Sequence, residues 1–371
     1  MTKVLHIGYA HRFDDIRIFT KECLSLARNG YDVTFITSNK STGSETPDDS
    51  DVRRIVLSLR GGRGIRAFRY FRDLKKYLGR TEYDIYHVHE MILYPVFKYL
   101  IKHGGTVIYD MHEDAPNQIG LDIARRVKFF GGAVRRYILH IDNKMIKNAA
   151  YNIIVVEGQR ERAERFSSRV KMICNFPIIR DLELKHTDTN HICYAGGINE
   201  SRGITKLVEA MPDINARLYL AGDGEKEYLD KLRSLDGWEK VDYLGFLDRE
   251  SILDMYRKSS VGVFIAEPMP NIMKSYPIKL FEYMEAGLPV VCSDYDPWVE
   301  IVGKNNCGIC VDREYSRKEF TDAVNGLLAD RDRAAEMGKR GRATVAEKYS
   351  WNSQEKVLLE IYGELSDHND A

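Results

Sequence analysis

Short runs of β-branched and aliphatic residues recur at positions 4–7, 33–37, 55–57, 85–88, 107–109 and 153–156, separated mainly by stretches of helical length. Such continuous apolar runs suit strands buried on both faces. Interleaving them with helices predicts a parallel sheet covered on both sides. The same pattern returns at 192–195, 218–221, 241–244, 261–265, 290–292 and 308–311. Two doubly wound α/β domains follow from this repetition. The polar stretch 180–190, RDLELKHTDTN, has no apolar period and reads as the linker between them.

A length of 371 residues agrees with two cores rather than one. No run of 18 apolar residues occurs, and the start MTKVLHIGYAHRF lacks a basic-then-apolar signal arrangement, so a cytoplasmic protein is expected. Net charge is zero, but residues 1–180 hold 31 basic and 20 acidic side chains, against 24 and 35 in 181–371. That asymmetry points the first half toward an anionic partner and helps two lobes face each other across a cleft. The six cysteines are scattered, mostly in apolar runs. Only Cys307-Gly-Ile-Cys310 has motif spacing, and a single CxxC lacks the second pair of a structural zinc site.

In doubly wound sheets ligands bind beyond the carboxyl ends of the strands. That rule selects Gly8 and the residues after it, His89-Glu90, the segment Asp110-Met111-His112-Glu113-Asp114, Gly196-Gly197 and Gly222-Asp223-Gly224. In Gly196-Gly197-Ile198-Asn199-Glu200-Ser201-Arg202-Gly203 the glycines allow backbone to approach a phosphate, and Arg202 adds a bidentate donor. Gly222-Asp223-Gly224 also fits a plain tight turn. His112, between acidic neighbours, is expected to be held in orientation and to gain proton affinity. His89 also fits a packed or solvated strand end. The two His-Glu pairs match no metal-ligand spacing.

The densest chemistry lies in Lys274–Cys292, KSYPIKLFEYMEAGLPVVC. Pro277 suits the first turn of a helix over 278–286, which Gly287 and Pro289 would stop. Its free amides favour an anion, Lys274 and Lys279 add charge, and Glu282, one turn on, could accept two ribose hydroxyls. An amphipathic helix with a solvated Glu282 fits the same pattern. Asp294-Tyr295-Asp296 looks like a metal-holding DxD, but 294–297 reads better as a loop and helix cap. Arg53–Arg80 carries ten basic residues and one acid, interleaved with Phe68, Phe71, Leu74 and Leu78. Ile123–Lys147 repeats that theme. Both suit an anionic membrane surface, and both also fit core helices with a solvated basic face. Basic residues occur without a recognisable nucleic-acid module, so nucleic acid is not an expected partner.

Together HRFDDIRIFTKECLSLARNGYDV, YDIYHVHE, VIYDMHED, YAGGINESRGITKLVEA, LYLAGDGEKEYL, VDYLGFLDRESILDMYRKSSVGV and KLFEYMEAGLPVV resemble the bacterial family-4 retaining glycosyltransferases that build surface polysaccharides. The resemblance implies the GT-B fold: an acceptor-side domain over 1–180, a nucleotide-sugar-binding domain over 191–350, and a terminal helix over 351–371 returning to the first domain. It implies sugar transfer from a nucleoside diphosphate sugar to a hydroxyl of a lipid-linked or growing glycan. The anomeric configuration would be kept, no metal or other cofactor used, and the protein held at the inner face of the membrane. His112, Arg202 and Lys279 would be catalytic. Gly8, Gly196, Gly197, Arg202, Lys274, Ser275, Lys279 and Glu282 would meet the donor, with Arg12, Asp14 and His89 on the acceptor side. Two positions depart from the family pattern. Lys274 stands where a donor-sugar glutamate is frequent, and Gly197 where an arginine is. A sugar-nucleotide epimerase of the same fold and a non-catalytic sugar-nucleotide-binding scaffold are the alternative expectations.

Overall fold

The computed structural model describes residues 1–9, 11–38, 51–57, 63–111, 131–179 and 190–369. The chain divides into two compact units, 1–175 with 352–371, and 176–351. The stretch 180–189, at the heart of the expected linker, lies outside the described residues.

Unit 1 is built on seven parallel strands: β1 (Lys3–Ile7), β2 (Asp32–Thr37), β3 (Val52–Val56), β4 (Ile85–Val88), β5 (Thr106–Met111), β6 (Tyr151–Ile154) and β7 (Val170–Met172). Their spatial order is β3-β2-β1-β4-β5-β6-β7, so the winding reverses between β1 and β4. The third strand runs 52–56 rather than 55–57, because its paired stretch begins with Val52 against Val33. β7 has no counterpart among the expected runs. It is a three-residue edge strand, Val-Lys-Met, only half-buried, and carries no apolar run to read.

The pleat sorts β1, β4 and β5 into two contrasting faces. Leu5, Ile7, Val88, Val107 and Tyr109 point into an apolar layer, which Tyr70, Leu74, Phe97, Leu100, Met145 and Ile146 complete from the helices Arg63–Leu78, Tyr94–Lys102 and Gly131–Asn148. The alternate positions His6, His87 and Asp110 are polar, and all are buried. Arg17, from the π-helical stretch Ile16–Cys23, covers Asp110 at 3.0 Å and donates to the Ile173 carbonyl at 3.0 Å. The helix Trp351–Asn369 lays Tyr362 over the same face, its hydroxyl 2.8 Å from His87 Nδ1 and 3.2 Å from His6 Nε2. A buried ion pair of this kind adds little net stability, but removing one partner strands a charge at about 3–5 kcal/mol.

Unit 2 holds six parallel strands: β8 (His191–Ala195), β9 (Arg217–Ala221), β10 (Val241–Gly245), β11 (Val261–Phe264), β12 (Val290–Ser293) and β13 (Gly308–Val311). Their order is β10-β9-β8-β11-β12-β13, with the reversal between β8 and β11. Thus Gly8 and Gly196 each follow a strand at the reversal point of their own sheet, where neighbouring connections diverge and leave a crevice.

Candidate functional site

The loop after β8 owes its shape to glycine at some positions and not at others. Gly196 has φ 152°, and Gly203 has φ 71° at the start of the helix Ile204–Ala210. A Cβ on Gly203 would fall 1.7 Å from the Ile265 carbonyl oxygen, and one on Gly222 1.8 Å from that of Gly196. Those two glycines are demanded by the fold. Gly197 is exposed, and a Cβ there would meet only Asn199 Nδ2, at 3.6 Å. Gly8 likewise would meet nothing nearer than 3.4 Å. Packing within the chain therefore does not require glycine at either position.

Arg202 ends the short turn Glu200–Arg202, which Asn199 caps by accepting the Arg202 amide. Its guanidinium lies 5.9 Å from the Phe264 ring centre and has no carboxylate partner among the described residues. Lys279 reaches the same loop from the other side. A Cβ at Gly196 would be 3.4 Å from Lys279 Cε and 3.1 Å from the Tyr194 hydroxyl. The glycine-rich loop, Arg202 and Lys279 are therefore brought together.

Lys279 and Glu282 belong to the helix Ile278–Glu285, and Lys279 Nζ holds Glu282 Oε2 at 2.7 Å. The Tyr256 hydroxyl donates to the same oxygen at 3.1 Å. Oε1 has no partner among the described residues, and the side chain is partly exposed. Pro277 sits at the N-cap with ψ 125°, one position before the expected first turn, and leaves the first amides without a side-chain cap. Ser275 is half-buried, with its hydroxyl donating to the Ile272 carbonyl and its own carbonyl accepting Trp298 Nε1. Lys274 is exposed and has no ion-pair partner among the described residues. Asp294 departs from the expected cap. Its carboxylate accepts the Arg313 amide at 2.8 Å and Nε at 2.9 Å, while Tyr295 takes the N-cap position without a side-chain bond.

In unit 1 the ends of β1 and β4 form a second cluster of polar side chains. Arg12 and Asp14 pair through two bonds of 3.0 Å on the loop after β1. His11, not singled out from the sequence, lies 3.2 Å from Asp15 Oδ2 and 3.5 Å from Glu90 Oε1. Burial alone would lower its proton affinity, but Asp15 and Glu90 carry it above the ordinary histidine value. Glu90 also accepts the Tyr9 amide at 2.5 Å, tying the two loops. His89 borders this cluster through an edge contact with the His11 ring, centroids 6.5 Å apart. Its ring is buried, stacked on His87 with centroids 4.3 Å apart, and shares a 2.9 Å contact with His6 Nδ1. His112 lies outside the described residues.

Among the described residues, one group could be considered for a metal. His6, Glu22, His87 and His89 each offer a ligand atom within 4.8 Å of the others. The three imidazoles are stacked at 18–37° to one another. Two of these ring nitrogens, His6 Nδ1 and His89 Nε2, already share a 2.9 Å hydrogen bond. Burial lowers the proton affinity of His87 and raises that of Glu22 well above the ordinary carboxylate value, Arg17 at 3.2 Å opposing the latter shift.

Two parallel Rossmann-like sheets, each with glycine at its reversal point, define the GT-B class, and solved structures of that class superpose closely. Sucrose-phosphate synthase from Thermosynechococcus elongatus matches with TM-score 0.76 at 18% identity, covering 99% of this chain and all of that one. Anabaena Alr3699/HepE, solved with UDP and glucose, matches with TM-score 0.73 at 12% identity over 98% of this chain and all of that one. Residues 20–176 match the family described as Glycosyltransferase Family 4, and residues 175–344 match Glycosyl transferases group 1. The chain belongs to the family-4 glycosyltransferases. An uncharacterised glycosyltransferase of Methanocaldococcus jannaschii is 31% identical over 183 residues, 47% of this chain and 45% of that protein. Alpha-maltose-1-phosphate synthase of Mycolicibacterium smegmatis is 27% identical over 188 residues, 47% and 48% of the two chains. The chain thus spans about half the length of the curated relatives it matches.

Proposed function

We propose that the protein is a retaining glycosyltransferase that moves a sugar from a nucleoside diphosphate sugar to a hydroxyl of a lipid-linked or growing surface glycan, without a metal. The observation that carries this is the meeting of Arg202, Lys279 and the side-chain-free Gly196-Gly197 backbone at the reversal point of the unit 2 sheet. A diphosphate placed there meets two cations and free helix amides, which stabilise the charge that grows as the glycosidic bond breaks. Glu282, with one oxygen fixed by Lys279 and Tyr256, keeps the other for ribose hydroxyls. Phe246, exposed directly after β10, offers a ring on which the base can stack. Lys274 cannot accept the hydroxyls a glutamate would, so it favours a donor whose sugar carries negative charge or is gripped elsewhere.

The acceptor falls to unit 1. Gly8 leaves its strand end open, and the Arg12–Asp14 and His11–Glu90 groups offer hydrogen-bonding partners to the hydroxyls of an acceptor sugar, while His112, to which the resemblance assigns a catalytic role, lies outside the described residues. Support for a membrane-bound acceptor comes from the helices Arg63–Leu78 and Gly131–Asn148, which both pack on Tyr94–Lys102. Phe68 is 70% exposed beside Arg69 and Arg72, and Tyr137 is 64% exposed beside Arg135 and Arg136. No helix among the described residues is long and apolar enough to cross a membrane, so a surface contact is the mode proposed.

Incubation with a panel of sugar nucleotides, read by release of nucleoside diphosphate and by thermal shift, tests the reading. One donor should both stabilise and turn over, in the presence of a chelator as well as without it. Glu282→Ala should weaken nucleoside diphosphate binding by about 1.5–3 kcal/mol, the worth of a charge-assisted hydrogen bond. Unchanged affinity in calorimetry rejects the ribose assignment. Sedimentation with anionic but not neutral vesicles is expected for the membrane contact, and equal behaviour with both counts against it.

A further inference from the structure

Cys307-Gly-Ile-Cys310 is a motif that the donor reading leaves unused. Its two cysteines do not serve each other. The Cys307 thiol is buried and donates to the Ile301 and Val302 carbonyls, each at 3.4 Å, and burial pushes its pKa up to about 12. Cys310 instead stands opposite Cys292 in the β12–β13 register, with the two sulfurs 3.9 Å apart. Register partners project from the same face of a sheet. Neighbouring strands are about 4.7–4.9 Å apart, within the roughly 4.4–6.8 Å Cα window of a disulfide. Closing the bond therefore asks for side-chain rotation rather than backbone movement.

The pair is asymmetric in the way an oxidisable pair requires. Cys292 is fully buried, whereas Cys310 is half-buried and reachable. The hydrogen shared between them favours the thiolate on Cys310, lowering its pKa, and holds Cys292 as the thiol. The end of β12 is also wired to the glycine-rich loop. Ser293 Oγ accepts the Ala266 amide at 3.3 Å, and the Tyr295 hydroxyl donates to the Ala266 carbonyl at 2.7 Å. Next to Ala266, the Ile265 carbonyl abuts Gly203, and the Glu267 amide donates to the Ser201 carbonyl at 3.0 Å. Arg202 lies between those two contacts.

We propose that Cys292 and Cys310 form a redox-modification site, closed to a disulfide by a peroxide, and that its closure loosens the loop carrying Arg202. The Cys310 thiolate attacks one peroxide oxygen, the O–O bond breaks, and hydroxide leaves, giving a sulfenic acid. Cys292 sulfur then attacks that sulfur, its proton goes with the departing hydroxyl as water, and the S–S bond forms. The two thiols lose the two electrons the peroxide gains. A small dithiol reverses the step by exchange. The disulfide stands on geometry alone, while its effect on the loop rests on the donor reading above.

The test treats the reduced full chain with graded hydrogen peroxide, blocks remaining thiols, and maps peptides without reduction. A Cys292–Cys310 crosslinked peptide is expected, reversed by dithiothreitol and retained in Cys307→Ser. In Cys292→Ala a dimedone-reactive sulfenic acid should accumulate on Cys310. Pairing of Cys310 with Cys307, or no oxidation of either thiol at doses that oxidise a free cysteine peptide, overturns the site. Calorimetry with UDP, GDP and ADP should show weaker binding to oxidised than to reduced wild type, and no such difference in Cys292→Ala. Equal affinity of both wild-type forms overturns the loosening. No binding even to the reduced chain rejects the donor reading and the loosening with it, and leaves the disulfide to its own peptide evidence.

Discussion

Glycine separates structural from chemical need at single residues. Gly203 and Gly222 are locked by backbone oxygens less than 2 Å from where a Cβ would stand. Gly203→Ala and Gly222→Ala should each cost at least about 1–3 kcal/mol in urea unfolding, because backbone cannot yield as a flexible side chain does. Gly197→Ala should stay within about 0.5 kcal/mol of wild type, yet lose nucleoside diphosphate affinity. A stability loss at Gly197 as large as at Gly203 would mean that the loop needs it for folding only. His11 supplies a pH signature. Its folded pKa is raised from 6.5, so its contribution to stability is fully present below 6.5 and is lost as pH rises through the raised value. His11→Ala should flatten the stability profile just above pH 6.5, measured by urea midpoints at successive pH values, while leaving the acid side parallel to wild type.

Elements show where local sequence is decisive. The helix Ile278–Glu285 ends in a Schellman arrangement, with the Leu288 amide on the Tyr283 carbonyl at 2.9 Å and the Gly287 amide on Met284 at 3.0 Å. Gly287 has φ 68°, which only glycine adopts without strain. Gly287→Ala should therefore cost about 1–2 kcal/mol and weaken nucleotide binding only in proportion to the fraying it causes. This stop was legible, as was the shared helical face of Lys279 and Glu282, though not their ion pair, since residues three apart lie on one side of a helix. The twelve apolar runs were legible because parallel strands buried on both faces leave continuous apolar letters. Val170–Met172 left none, being a half-exposed edge strand. The helix starts at Ile278 as expected, and Pro277 takes the N-cap just before it rather than a place in the first turn, because its ψ of 125° is extended.

The terminal helix decides how unit 1 is closed at the scale of the whole molecule. Residues 352–371 return to unit 1, and Tyr362 sets its hydroxyl between His87 and His6 while Leu358, Ile361 and Leu365 are buried with it. Tyr362→Phe removes one hydroxyl from a fully buried polar stack and should cost about 1–3 kcal/mol. Denaturant unfolding followed by a unit 1 probe would show it, and unchanged stability would mean the imidazoles find other partners. Arg17 and Asp110 extend this stack across 93 residues of sequence. A polar row inside an apolar sheet could be suspected from His6 and His87 alone. What satisfies it could not, because its partners arrive from the π-helical stretch and the far terminus.

The sequence by itself determined the class of fold, the two sheets, the placement of glycines at strand ends, and the cationic helix that follows β11, since each depends on residues close in the chain. Only the tertiary structure decided which strand ends are neighbours. It put His11 beside Glu90 because β1 lies next to β4, buried His89 instead of exposing it, joined Tyr256 to Glu282, and paired Cys310 with Cys292 rather than with Cys307. Strand order is set by how whole faces are buried, and no short window of sequence carries that information.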